Sequence, residues 1–96
     1  MSSQTLKVLG ALCSSPRDEL SGADIARLTN LHSGTLYPIL LRLERAEWLR
    51  SRWESGDPSE LGRPRRRFYR VTALGAKRTR EALRELRPIF RRFVWG

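Results

Sequence analysis

Arginine is the residue type in this chain whose number and spacing could do chemistry. Arg63, Arg65, Arg66, Arg67 and Arg70 fall within the nine residues from Gly62 to Arg70, with no acid among them. A planar guanidinium meets a phosphate or a guanine edge at two points, so such a run suits a polyanion. Without one, the repulsion of so many uncompensated charges would be costly in a folded protein. Pro64 holds the backbone extended, Gly62 permits close approach, and arginines presented in this way suit a narrow A/T-rich minor groove. Over the whole chain 19 Lys+Arg stand against 10 Asp+Glu, a formal net charge of +9, and only Lys7 and Lys77 are lysine.

Other chemistries lack their residues. Cys13 is the sole cysteine and His32 the sole histidine. One chain therefore has neither an intrachain disulfide nor a Cys/His metal cluster. With one histidine and one cysteine, no glycine-rich phosphate loop and no paired carboxylates in a pocket, the residues argue against an enzyme, and no cofactor or metal is expected. The N-terminus has no signal-peptide hydrophobic region, and no apolar run nears membrane-spanning length. The expectation is a cytoplasmic, nucleoid-associated protein. At 96 residues, 40% hydrophobic and 30% charged, the chain reads as one small globular unit.

The elements that must position the arginines follow from periodicity and punctuation. Leu6, Val8, Leu9 and Leu12 recur at mostly helical spacing from Ser3 to about Ser14, and Ser14-Ser15-Pro16 stops that helix. Asp18-Glu19-Leu20 is short and extended. Ser21-Gly22-Ala23-Asp24 has the form of a capping box and opens a second helix, which ends at Thr29-Asn30. Ser33 is the N-cap candidate for a third, where Leu36, Ile39, Leu40 and Leu43 share one face. Gly34, Tyr37, Pro38, Leu41, Arg42 and Arg45 fall on the opposite face. Two helices joined by a short turn, the second with a polar and basic outer side, form a helix-turn-helix.

Trp48 to Trp53 alternates as a strand, with Leu49, Ser51 and Trp53 on one side. Phe68 to Val71 alternates too, with Tyr69 and Val71 pointing inward. Ser55 to Gly62 carries the turn-formers of a long hairpin loop. Thr72 caps a final helix running at least to Arg87 and, through Pro88, as far as Phe93. The fold class is α+β, mostly α: a winged helix-turn-helix over residues 1–72 and a C-terminal dimerisation helix over 73–96, forming one compact unit.

In that frame, the third helix is suited to a DNA major groove and the arginine run to the wing beside it. The candidate DNA-binding residues are Ser33, Gly34, Thr35, Tyr37, Pro38 and Arg42 on the helix, and Arg63, Pro64, Arg65, Arg66 and Arg67 on the wing. Leu83, Leu86, Phe90 and Phe93 make a heptad-like seam that, with Leu6 and Leu9, is the candidate dimer interface. Trp95, at the apolar C-terminus, is the candidate for stacking a small, flat aromatic effector. The function expected is a homodimeric, sequence-specific DNA-binding regulator, a repressor, reading a palindromic operator in double-stranded DNA. The same charge also suits a winged helix binding nucleic acid, RNA included, without sequence preference. A protein-interaction module that offers its wing to an acidic partner is a third class.

Thr35-Leu36-Tyr37-Pro38-Ile39-Leu40-Leu41-Arg42-Leu43-Glu44 and Tyr69-Arg70-Val71-Thr72 with Gly75 resemble the two recognisable blocks of the PadR family of bacterial transcriptional regulators. The resemblance spans most of residues 5–87. It implies a dimeric winged-helix repressor whose C-terminal helix forms the dimer. By the same resemblance, Ser33, Thr35, Tyr37 and Arg42 lie on the DNA-facing helix, and the wing arginines on the backbone or minor groove. It also implies flat, hydrophobic or phenolic effectors near the dimer interface. Two departures stand out: Leu41 occupies a position that is often basic in the family, and the C-terminal helical region is short.

Overall fold

The computed structural model describes residues 1–14 and 18–95, the side chains of 87–95 excepted. The first helix, α1, spans Ser3–Cys13 and is capped by Ser2, whose hydroxyl accepts from the Thr5 N–H at 3.1 Å. A two-residue strand, β1 (Leu20–Ser21), leads into α2 (Gly22–Thr29). The expected capping box is present in both directions. Ser21 Oγ accepts from the Asp24 N–H and Asp24 Oδ2 accepts from the Ser21 N–H, each at 3.1 Å. Asn30 ends α2 in the left-handed region at φ 57°, a conformation asparagine tolerates. Pro16, the expected stop of α1, lies outside the described residues.

Helix α3 spans Ser33–Arg45, and its first residue corrects one expectation. The N-cap is His32, with extended backbone angles and no side-chain cap bond, and Ser33 is already the first helical residue. A hydroxyl at that place is past the position from which a side chain reaches the N2 or N3 amide. The far end closes in a Schellman arrangement: Glu47 donates to the Glu44 carbonyl at 3.0 Å and Trp48 to the Leu43 carbonyl at 2.9 Å. Glu47 takes the left-handed position (φ 65°) that glycine more often fills.

Strand β2 (Leu49–Trp53) pairs antiparallel with β3 (Arg67–Val71) from Leu49↔Val71 to Trp53↔Arg67, and β1 pairs on the other edge of β3, giving the order β1-β3-β2. The stretch read as loop contains a short helix, α4 (Pro58–Leu61). Asp57 caps it by accepting from the Ser59 N–H at 3.0 Å, Pro58 opens it, and Gly62 closes it at φ 69°. Thr72 caps α5 (Ala73–Trp95) as expected, accepting from the Gly75 N–H at 3.0 Å.

One core joins α1, α2, α3 and the sheet. Leu36, Ile39, Leu40 and Leu43 of α3 meet Val8, Leu9 and Leu12 of α1, Ile25 of α2, and Leu49, Tyr69 and Val71 of the sheet. Each full burial of such a side chain contributes about 2 kcal/mol before entropy is counted. Helix α5 docks where Gly75 lies against the backbone of Trp48, so closely that a Cβ would strike the Trp48 carbonyl. Thr79, one turn further on, is buried and donates to the Gly75 carbonyl at 2.8 Å.

Candidate nucleic-acid interface

Burying one stripe of α3 necessarily turns the other outward. Ser33, Gly34, Pro38, Arg42 and Arg45 are exposed, with Tyr37 at 47% and Leu41 at 49%, while Thr35 is half-buried. A Cβ at Gly34 would meet nothing within 4 Å, so its absence leaves the first turn bare. Because His32 supplies no cap, the N–H groups of Ser33 and Gly34 have no partner among the described residues. Such free donors at a positive helix end are suited to an anion. Tyr37 leans back over α2, where a Cβ at Gly22 would clash with its hydroxyl.

The wing is the segment between β2 and β3, and the structure pairs its charges more than the sequence suggests. Glu54, just past β2, accepts from both terminal nitrogens of Arg63, at 2.6 and 2.9 Å, and from the Arg66 N–H at 3.3 Å. Its own N–H donates to the Arg66 carbonyl at 2.7 Å. The hydrogen bond from Arg63 holds the Glu54 carboxyl below the usual glutamate range against a smaller opposing effect of burial. Arg67 donates to Ser51 Oγ from Nε at 3.0 Å and from a terminal nitrogen at 2.8 Å, lies 3.4 Å from Glu44 Oε1, and stacks 5.3 Å from the Trp53 ring centre. Ser51 in turn donates to Glu44. Through this chain the inner side of α3 holds the root of the wing. The expectation of wholly uncompensated charge is therefore corrected: Arg63 and Arg67 find acids from outside the run.

Two other wing guanidinium groups are differently placed. Arg65 donates to the Gly56 carbonyl at 2.6 Å, which orients it but leaves its charge unneutralised. Arg66 is exposed, and among the described residues no ion pair or side-chain hydrogen bond holds its guanidinium. Tyr37 and the segment from Arg63 to Arg67 line a common cleft of about 590 Å³. Trp53, 59% exposed, flanks it, and Tyr69 forms its floor with a phenol that burial pushes above the usual tyrosine range. The alternation of β2 thus runs off the core: Leu49 is buried, Ser51 half-buried and Trp53 outside. Arg42 lies apart from this cleft, in a shallow depression of about 310 Å³ with Pro38, Leu41 and Arg45.

The sequence reading found the arginines but missed their holders, Glu44, Ser51, Glu54 and the Gly56 carbonyl. It also placed Leu9 at a subunit interface, whereas Leu9 is 0% exposed inside the chain's own core and leaves nothing for a partner to cover. Leu6 and Leu86 are half-buried and Leu83 is 48% exposed. Phe90, Phe93 and Trp95 lie outside the described side chains.

The helix with its bare outer face and the basic hairpin beside it both fall within residues 21–81, which the family model for PadR-like transcriptional regulators matches. The chain belongs to the PadR-like family. The match takes in α2, α3, the sheet, the wing and the first turns of α5. A PadR family transcription regulator from hypervirulent Clostridium difficile R20291 is similar along its whole length, with a TM-score of 0.77, 22% identity, and coverage of 99% of this chain and 100% of that one. A PadR family regulator from Eggerthella lenta DSM 2243 matches with a TM-score of 0.69 and 26% identity, over 85% of this chain and 72% of that one. MepR of Staphylococcus aureus in its DNA-binding conformation matches with a TM-score of 0.73 and 21% identity. The likeness to MepR covers 98% of this chain but 64% of MepR, and it establishes the winged-helix fold alone. No curated protein matches the PadR-like chain by sequence. No described helix is long and apolar enough to cross a membrane.

Proposed function

We propose that this PadR-like chain is a homodimeric, sequence-specific DNA-binding repressor that reads a palindromic operator. One observation carries the reading: Tyr37, on the exposed face of α3, and the wing segment from Arg63 to Arg67 line a common cleft, so the uncapped helix and the basic wing stand side by side. An α-helix fits the major groove, with its N-terminal residues nearest the base edges. Ser33, Thr35 and Arg42 are assigned to bases and phosphates, Tyr37 to a phosphate, and Gly34 and Pro38 to close approach. Arg65 and Arg66 lie on the wing toward backbone or minor groove, with Arg63, Pro64 and Arg67 giving the wing its shape. MepR, described in a DNA-binding conformation, lends support through the shared fold.

Homodimer formation is assigned to α5, where Leu74 and Leu83 are exposed at 38% and 48% on a 23-residue helix. Two α3 helices then enter successive major grooves about one helical turn apart. Fluorescence anisotropy against duplexes selected from a random pool tests the reading. A preferred inverted repeat supports it. Equal affinity for every duplex, or a preference for single-stranded RNA, sinks sequence-specific DNA binding.

A further inference from the structure

The outer face of α3 contains an apolar strip that lies outside the hydrophobic core. Tyr37, Pro38 and Leu41 lie side by side on it, while the inner face is already complete with Leu36, Ile39, Leu40 and Leu43. Pro38 even works against the helix, because its missing N–H leaves the Gly34 carbonyl without its usual partner. Leu41 is half exposed, between Pro38 and the side chains of Arg42 and Arg45, and these four residues line the 310 Å³ depression. The exposed half of the leucine adds nothing to the core.

The major groove presents one apolar group, the C5-methyl of thymine, and apolar side chains read it by contact. Arginine stems flanking the depression keep guanidinium groups free for neighbouring guanine edges or phosphates while their methylenes extend the apolar lining. Resting on the DNA-binding reading above, we infer that Leu41 is a specificity-determining residue that selects a thymine in each half-site by burying its methyl group. Arg42, the next residue, places that thymine beside the base pair or phosphate it contacts itself.

Uracil tests this, because it keeps the pairing and the O4 acceptor of thymine and deletes only the methyl. The preferred duplex is first selected from a random pool with the wild-type chain. Each thymine is then replaced by uracil, symmetrically in both half-sites, and titrated with wild type and Leu41→Ala. The expected result is one position where uracil weakens wild-type binding about fourfold per half-site, the value of one buried methyl. Leu41→Ala should bind the thymine and uracil duplexes alike at that position. The comparison is a ratio within each protein, so a difference in folded fraction cancels. A preferred duplex with no uracil-sensitive position overturns the inference alone, as does equal uracil sensitivity in Leu41→Ala. A pool that yields no preferred duplex overturns the sequence-specific reading and this inference with it.

Discussion

At the scale of single residues, the wing separates arginines that shape it from arginines free to act outward. The Arg63 guanidinium is spent on Glu54, whereas Arg66 gives Glu54 its backbone N–H and its guanidinium has no ion pair among the described residues. Arg66→Ala should therefore lower the slope of log affinity against log salt by about one unit per subunit contact, uniformly across sequences. Arg63→Ala should change wing conformation more than salt slope; anisotropy titrations at several salt concentrations separate the two. Glu54 adds a pH dependence with a defined sign. Its folded-state carboxyl titrates below the ordinary value because Arg63 donates to it. The stabilising contribution of this tie is thus fully present above the ordinary glutamate value and is lost as pH falls through the depressed one. Trp53 fluorescence should report an acid transition of the wing in wild type that Glu54→Gln lacks. A wild-type and Glu54→Gln pair with identical acid profiles would contradict the assignment.

Elements differed in how far local sequence exposed them. The α2 capping box and the α3 stripe were readable because each depends on residues within one or two turns. Helix α4 was hidden in a run of turn-formers, although Asp57-Pro58 is itself an N-cap followed by a proline at the first helical position. The start of α3 was off by one residue, since serine is a frequent cap but backbone geometry gave the role to His32. Glu54–Arg63 and Glu44–Arg67 could not be read at all. Both depend on the register Trp53↔Arg67, fixed by a hairpin whose loop contains a helix the sequence reading did not anticipate. The packing of α5 was equally hidden and is open to test. Gly75→Ala should destabilise the chain by about 1–3 kcal/mol, because the added methyl meets backbone that cannot swing aside. Gly22→Ala should cost less, since there the obstacle is the far end of the Tyr37 side chain. Urea unfolding with unchanged slope measures both.

For the whole molecule, a formal charge of +9 surrounds a core shared by α1, α2, α3 and the sheet. On the proposed reading, α3 and the wing face the DNA, while the exposed Leu74 and Leu83 of α5 face the partner subunit. Leu83→Glu should abolish the dimer in sedimentation experiments and reduce affinity for the palindrome to that of one half-site, with the isolated fold intact. A variant that stays dimeric would place the subunit contact elsewhere. The closeness of α5 to the turn after α3 reaches further than stability. Thr72 donates to the Glu47 carbonyl at 2.7 Å, and Gly75 lies flush on Trp48, so the long helix leaves the turn behind α3 at a fixed angle. In a two-fold pair that angle sets the distance between the two reading heads. Half-site spacing, a trait of the DNA, then has its counterpart in a methyl group that residue 75 does not carry. On the proposed dimer, a substitution that relaxes this packing should shift the preferred operator spacing while keeping the same half-site letters.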